Sequence, residues 1–187
     1  MLGNLRRLTQ FKGRESRGSF WPYAALVILP SMIVVVSFTV PAMAKFWAEV
    51  DAYAVEHPED VTVRSGPGYY EMSVDGPTGV VPDVGLLFTG VGAGFLTGIV
   101  LLGAAVSRRL HDSGLSGFVG LLPTPFMLFG VIVGSRLFAS FGAEEVDLSL
   151  FMLMFTNNVF YIVCLFLLAA LLVRPSTAGP NRYGEAP

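Results

Sequence analysis

The sequence has few charged residues and almost no cysteine. Its 12 basic and 14 acidic side chains make up 14% of 187 residues, against about 25% in ordinary soluble domains. Apolar and aromatic residues reach 53%, which excludes an intrinsically disordered chain and disfavours a soluble globular one. The single cysteine, Cys164, excludes a disulfide framework and a cysteine-based metal site. With a net charge of −2, we expect no nucleic-acid partner.

The sequence does contain four long blocks without a charged side chain. Each exceeds the roughly 20 apolar residues that cross about 30 Å of hydrocarbon as a helix. A soluble four-helix bundle, the alternative, would need a polar stripe along each helix, and none of the blocks has one. We therefore predict an all-α membrane protein, a bundle of four transmembrane helices in a single domain over residues 1–187. The uncharged blocks are Gly18–Ala44, Val84–Ser107, Ser113–Ser135 and Leu148–Val173.

The blocks also define the connecting segments. We predict helices at 20–44, 84–107, 116–136 and 148–173, a long outer loop at 45–83 and a tail at 174–187. The apolar residues from Phe46 to Tyr53 recur at helical spacing, so the first helix is expected to continue into the outer loop, to about Glu56. Further along that loop, Ser65-Gly66-Pro67-Gly68 between two β-prone runs predicts a small hairpin. In the third block, Pro123 and Pro125 are expected to bend or interrupt the helix.

The charges are distributed unevenly about the four blocks. The two terminal segments and the turn between the second and third blocks carry nine basic and three acidic residues, whereas the other two connections carry three basic and eleven acidic ones. An excess of lysine and arginine marks the cytoplasmic side, so we expect both termini in the cytoplasm. Cleavage of a signal peptide after Ala42-Met43-Ala44 is the alternative, but the preceding apolar stretch is about twice the usual length.

Two patterns inside the blocks predict helix packing. Gly90, Gly94 and Gly98 are spaced four apart in the second block, which makes a flat stripe that another helix can approach closely. That helix belongs either to the same bundle or to a second copy of the chain in a homo-oligomer. Asn157 and Asn158 form the most polar pair in the blocks. We expect them to hydrogen-bond between helices, with a solute path as the alternative.

The turn between the second and third blocks carries Arg108, Arg109, His111 and Asp112. Helix dipoles explain arginines at one helix end and an aspartate near the next helix start. They do not explain His111, nor arginine in place of lysine, since arginine is preferred for planar contacts to carboxylate or phosphate. A histidine beside an aspartate can also be held in one tautomer and titrate near neutral pH. The turn is therefore either structural or a site for an anion or lipid headgroup.

Three motifs spread along nearly the whole chain carry a family resemblance. They are Gly13-Arg14-Glu15-Ser16-Arg17 with Phe20-Trp21, then Arg108-Arg109-Leu110-His111-Asp112-Ser113-Gly114 with Ser116-Gly117, and finally Gly179-Pro180-Asn181-Arg182-Tyr183-Gly184. In order and spacing they resemble the bacterial inner-membrane family called domain of unknown function 805. Two features depart from its pattern: Phe118-Val119 stands where an aromatic pair is usual, and the outer loop is long. The resemblance implies a bacterial inner-membrane location and supplies no reaction.

All three motifs lie on the predicted cytoplasmic side, where we expect them to meet in a single cluster. The candidate binding residues are Arg14, Arg17, Trp21, Arg108, Arg109, His111, Asp112, Asn181 and Arg182. We favour a non-enzymatic membrane protein whose cluster binds an anionic lipid headgroup of the bilayer or an acidic partner.

Two other functions stay open at this point. A small oligomeric transporter or channel ordinarily places ionisable groups at mid-membrane, and the four blocks have none. A lipid- or phosphate-directed enzyme would use His111 and Asp112 as an acid–base pair, but no nucleophile–base set or phosphate loop is present. On the outer loop, His57 lies among Glu56, Glu59 and Asp60. A lone histidine among surface acids is more often solvated than a ligand, so we predict no metal site and no cofactor.

Overall fold

The computed structural model of the chain describes residues 2–74, 80, 82–140 and 148–186. This part is mostly helical, and four of its helical segments are long and apolar enough to cross a membrane. The predicted fold class is thereby confirmed. Residues 75–79, 81 and 141–147, in the two predicted outer connections, lie outside the described residues.

Within the described residues, seven helices and strands follow one another in order. They are α1 (Leu2–Leu5), α2 (Arg17–Glu56), β1 (Val61–Gly66), β2 (Tyr69–Val74), α3 (Val84–Asp112), α4 (Thr124–Ser140) and α5 (Leu148–Val173). Short 3-10 turns at Pro58–Asp60 and Gly117–Leu121 join some of them.

The first helix extends well past its apolar block. α2 has 40 residues, which at 1.5 Å per residue is about 60 Å, twice the thickness of the hydrocarbon layer. It ends at Glu56, as the helical spacing after residue 45 predicts. The hairpin that follows is also confirmed. β1 and β2 pair antiparallel, with Val61 opposite Val74 and Gly66 opposite Tyr69.

The third span is interrupted, as its prolines predict. Gly117–Leu121 forms a 3-10 turn, and α4 begins only at Thr124, directly after Pro123. Proline cannot donate a backbone hydrogen bond, so the regular helix starts where that donor is not needed. Ser116 caps the 3-10 turn, because its Oγ accepts a hydrogen bond from the amide of Phe118 at 3.4 Å.

One end of the bundle has a tightly packed core. Phe20, Tyr23 and Val27 of α2 pack with Leu110 of α3 and Leu172 of α5, and all five are at most 6% exposed. This core lies beside the end of α3 that carries the second motif. This core holds α2, α3 and α5 together at the end of the bundle where the charged residues of the second motif lie.

Candidate functional site

The site is built on the end of α3, which runs to Asp112 rather than stopping at residue 107. The amide of Leu115 donates to the carbonyl of Leu110 at 2.9 Å, and that of Gly114 to the carbonyl of His111 at 3.0 Å. These two bonds form a Schellman motif, whose left-handed position needs glycine. Gly114 has a φ of +79°. The left-handed position at the end of α3 therefore explains why the second motif has glycine at residue 114.

Arg108 and Glu15 form one half of a cluster of buried charges. Arg108 Nε and Nη2 lie 3.0 and 2.9 Å from Glu15 Oε2. Nη2 also donates to Asn4 Oδ1 at 2.8 Å, and Nη1 donates to the carbonyls of Arg7 and Gln10 at 3.0 and 2.5 Å. The guanidinium therefore makes four hydrogen bonds in addition to its ion pair with Glu15. These contacts fasten the N-terminal segment to the end of α3.

Asp112 is the centre of the other half. Arg14 Nε and Nη2 lie 3.0 and 2.9 Å from its Oδ1, and Arg109 Nη1 lies 2.6 Å from its Oδ2. The Ser176 hydroxyl donates to Oδ2 as well, and the amide of Thr177 donates to the Asp112 carbonyl at 2.9 Å. One carboxylate thus joins the N-terminal segment, α3 and the C-terminal tail.

The same two arginines also satisfy backbone carbonyls. Arg109 Nε donates to the carbonyl of Leu172 at 2.9 Å, and its Nη2 donates to that of Arg174. The last carbonyls of a helix have no partner within it, so Arg109 caps the C-terminus of α5. Arg14 Nη1 donates to the carbonyl of Gly179 in the tail at 2.6 Å.

The tail folds back over His111. The rings of His111 and Tyr183 stack with centroids 3.8 Å apart and planes 7° from parallel. His111 Nδ1 lies 3.2 Å from the Gly13 carbonyl, and Asn181 Nδ2 donates to the His111 carbonyl at 3.0 Å. The carboxylate of Asp112 is bound by two arginines and a serine, so its partners among the described residues do not include the His111 ring.

The burial of these side chains determines whether they can contact a molecule outside the chain. The side chains of Arg108, Arg109 and Asp112 are 0% exposed, that of Arg14 is 1% exposed and that of Glu15 is 3% exposed. Buried charges are stable only when paired and hydrogen-bonded, and here three positive and two negative groups are held by one another and by carbonyls. Solvent does not reach them. The arginines of this buried charge cluster therefore join segments of the chain, which differs from the expectation that they contact a headgroup.

Five of the candidate residues lie outside the buried charge cluster; His111 and Asn181 are half-buried, and the other three are exposed. Arg17 is exposed at the start of α2, with Nη1 3.4 Å from the Val173 carbonyl. Trp21 is 40% exposed one turn later. Arg182 is exposed, and its guanidinium carbon lies 4.7 Å from the centre of the Tyr183 ring, a cation–π distance. The structure thus brings all three motifs to one end of the bundle but divides them into buried and exposed residues.

Side chains outside the predicted site residues also contribute to this arrangement, among them Asn4, Glu15, Ser176 and Tyr183. Glu15 and Tyr183 lie inside the first and third motifs, so both could have been included. For Glu15 there is a second signal, because three arginines at one site require counter-charges. Asn4 and Ser176 carry no such signal. Asn4 lies 104 positions from its partner Arg108.

The glycine stripe of α3 faces α2 of the same chain. A Cβ on Gly90 would lie 2.6 Å from Phe38 Cβ, and one on Gly94 would lie 3.0 Å from the Ser31 carbonyl oxygen. At Gly98 it would be 3.6 Å from Ser31 Oγ, which is an ordinary contact. The close approach therefore occurs at the first two glycines, inside the bundle.

The two asparagines of α5 have different surroundings. Asn157 is 7% exposed, and its Nδ2 donates to the Phe126 carbonyl of α4 at 3.0 Å. Asn158 is exposed, and its Nδ2 donates to the Met154 carbonyl of its own helix at 3.2 Å. The structure therefore gives the expected interhelical bond for Asn157, whereas Asn158 bonds within α5.

His57 lies at the far end of α2. Its Nδ1 is 3.9 Å from Glu59 Oε1, and the ligand atoms of these two residues and Asp60 lie within 4.8 Å of one another. The His57 and Glu59 side chains are 45% and 70% exposed. Exposed acidic groups are common without an ion, and the absence of a metal here stays a prediction.

Four apolar helices of membrane-spanning length, joined at one end by buried charges, define a multi-pass helical membrane protein. The family model described as "Protein of unknown function (DUF805)" matches residues 8–185. The chain therefore belongs to this family, which confirms the resemblance carried by the three motifs. No curated protein and no solved structure matched the chain.

Proposed function

We propose that this protein is a non-enzymatic membrane protein that gathers anionic lipid headgroups around one end of its bundle. The observation that supports this function is that some basic residues at that end are buried and others are exposed. Three arginines belong to the buried charge cluster, whereas five other basic residues, which we call the basic rim, are exposed: Arg6, Lys12, Arg17, Arg174 and Arg182. Against the rim stands one exposed acid of the same segments, Glu185.

The rim has the composition of a headgroup site. Each lysine or arginine near an anionic membrane surface contributes about 1 kcal/mol of attraction. Arginine, which supplies four of the five rim residues, contacts phosphate oxygens with two nitrogens at once. Trp21 is 40% exposed within one turn of Arg17, and partly exposed tryptophans are typical of the membrane–water interface. Phe11, 54% exposed and with its carbonyl bonded by Ser107 of α3, is a second exposed aromatic residue at this end of the bundle.

The buried charge cluster supports this function by holding the rim in place. Arg182 belongs to the tail and Arg6 and Lys12 to the N-terminal segment, and such terminal segments are ordered only when they are bound to the rest of the molecule. The contacts of Asp112 with Arg14 and Thr177 bind both segments to α3. Fixed positions lower the entropy lost when a lipid binds.

The same charges support a proposal for the direction of insertion. Since lysine and arginine accumulate on the cytoplasmic side, we propose that the rim faces the cytoplasm of a bacterial inner membrane. A green fluorescent protein fused after Pro187 would then fluoresce, and an alkaline phosphatase fused there would be inactive. The opposite pattern would contradict this orientation.

Headgroup preference can be read from Trp21. The chain has two tryptophans, so Trp47→Phe leaves Trp21 alone. Brominated lipids quench tryptophan when they lie beside it, and we compare brominated phosphatidylglycerol with brominated phosphatidylcholine at equal fractions in vesicles. We expect stronger quenching by the anionic lipid at low salt, and a smaller difference at high salt, because salt screens exposed charges.

Two matched triple variants test which charges matter. Arg17→Gln, Arg174→Gln and Arg182→Gln remove three charges of the rim, and should weaken the anionic preference by up to about 3 kcal/mol, roughly a hundredfold. The control removes three exposed charges elsewhere, Lys45, Arg64 and Arg136, each replaced by glutamine. Equal quenching by both lipids, or equal effects of both variants, would contradict the proposal.

A further inference from the structure

Asn158 is a polar side chain in an unusual position. α5 has 26 residues, and Asn158 lies about 4 Å from its midpoint at 1.5 Å per residue. The side chain is exposed, so in a bilayer it meets hydrocarbon, where no water can satisfy it. An amide has two donor hydrogens and an oxygen acceptor. Its nitrogen bonds Met154, but among the described residues its Oδ1 accepts no hydrogen bond.

The residues around Asn158 form a regular seam. Phe151, Phe155, Asn158, Ile162 and Leu165 are spaced alternately by four and three residues. Their apolar members are 43%, 59%, 48% and 39% exposed, in that order. This is the spacing with which two helices pack as a left-handed pair, and one asparagine in such a seam fixes the register and the number of helices. Most helix pairs in membranes cross at the same angle as the helices of soluble left-handed coiled coils.

The occupant that suits this seam is the same seam of a second molecule. An amide both donates and accepts, so two Asn158 side chains facing each other across a twofold axis would each satisfy the other. The alternative interface, the glycine stripe of α3, already packs on α2, with Gly90 and Gly94 too close to Phe38 and Ser31 to admit another helix. We propose that the protein forms a homodimer through α5, centred on Asn158.

A pair of α5 variants tests the centre of the interface. Asn158→Leu removes the amide but keeps an apolar seam, and Thr156→Leu makes a similar change at an exposed residue about 200° away around the helix. Association of the full-length chain, labelled with donor or acceptor dye, is measured by energy transfer in vesicles as the protein-to-lipid ratio is varied. We expect Asn158→Leu to weaken dimerisation roughly tenfold, while Thr156→Leu leaves it unchanged and Asn158→Gln retains most of it.

A second measurement does not depend on changing Asn158. Cys164 is the single cysteine and is buried, so Cys164→Ala gives a background for new cysteines. In that background, Phe155→Cys and Ile162→Cys should form disulfide-linked dimers on mild oxidation, whereas Thr156→Cys should not. A monomeric wild-type chain in vesicles, dimers that Asn158→Leu leaves intact, or crosslinking at residue 156 in place of residues 155 and 162 would each overturn the proposal.

Discussion

Replacement of Asp112 by asparagine is the most direct test of the buried charge cluster. The two residues have nearly the same size, so Asp112→Asn removes a charge without creating a cavity. In the native chain the carboxylate lies 2.9 Å from Arg14 Nη2 and 2.6 Å from Arg109 Nη1. The variant keeps both arginines buried, with an amide whose oxygen can accept from one arginine while its N–H groups face the N–H groups of the other.

The expected cost follows from that burial. The Asp112 and Arg109 side chains are 0% exposed and that of Arg14 is 1% exposed, so water cannot replace the lost charge unless the structure opens. Removing one partner of a buried pair costs about 3–5 kcal/mol, which is a large fraction of the 5–15 kcal/mol that stabilises a typical domain. Release of the tail would let water reach the two arginines, because Ser176 and the carbonyls of Thr177 and Gly179 pack directly on this group of charges.

Opening of the tail can be measured by limited trypsin digestion at Arg182, because cleavage of a transiently opened segment reports its equilibrium population. We expect Asp112→Asn to increase the cleavage rate at least a hundredfold, on the order of the loss of 3 kcal/mol, and to lower the melting temperature in detergent. Glu185→Gln, which removes an exposed acid at the same end, is the control and should change stability by less than about 0.5 kcal/mol. Equal behaviour of the two variants would refute the reasoning.

Three further predictions concern packing. Gly94→Ala should destabilise the protein by about 1–3 kcal/mol through overpacking against α2, whereas Gly98→Ala, where a Cβ meets only an ordinary contact, should not; equal melting temperatures would contradict this. Tyr183→Ala should weaken docking of the tail by about 0.5–1.5 kcal/mol, the value of a stacked ring pair, while Tyr183→Phe retains protection against trypsin; loss of protection in both would point to the hydroxyl instead. Asn157→Leu should cost about 1 kcal/mol, the value of an interhelical bond, in unfolding by dodecyl sulfate, and an unchanged midpoint would count against the Asn157 contact.

The helices could be predicted from the sequence because the bilayer requires long uncharged runs, and the four blocks supply them without ambiguity. The extension of α2 to Glu56 followed from helical spacing, and the hairpin from a turn between β-prone runs. The ends of the helices were harder to predict from the sequence. The two adjacent charges predict an end at residue 107, whereas α3 continues through Arg108 and Arg109. Both side chains have partners in distant segments, which the local sequence does not reveal.

The site itself was predicted in membership but not in role. Arg108, Arg109 and Asp112 of the turn do meet Arg14 of the first motif. The pairing of Arg14 with Asp112 and of Arg108 with Glu15, however, depends on how segments about a hundred positions apart dock. Neighbouring residues on a helix point 100° apart, so Asn157 and Asn158 could not be distinguished until the position of α4 was known. Burial, which decides between a structural and a binding role, is a property of the folded chain.

The division between buried and exposed charges determines which substitutions can report on function. Arg108→Ala would leave Glu15, 3% exposed, without its cationic partner, and would free the carbonyls of Arg7 and Gln10 in the segment that carries Arg6 and Lys12. Lipid retention would then fall because the protein had opened, even if no lipid ever touched Arg108. Arg182→Gln removes a charge that is already in solvent. Within the chain it loses the contacts with the Tyr183 ring and the Gly114 carbonyl, and the melting temperature shows whether that loss affects the fold. A loss of headgroup preference in that variant, at unchanged melting temperature, is therefore the observation that separates binding from structure at this end of the bundle.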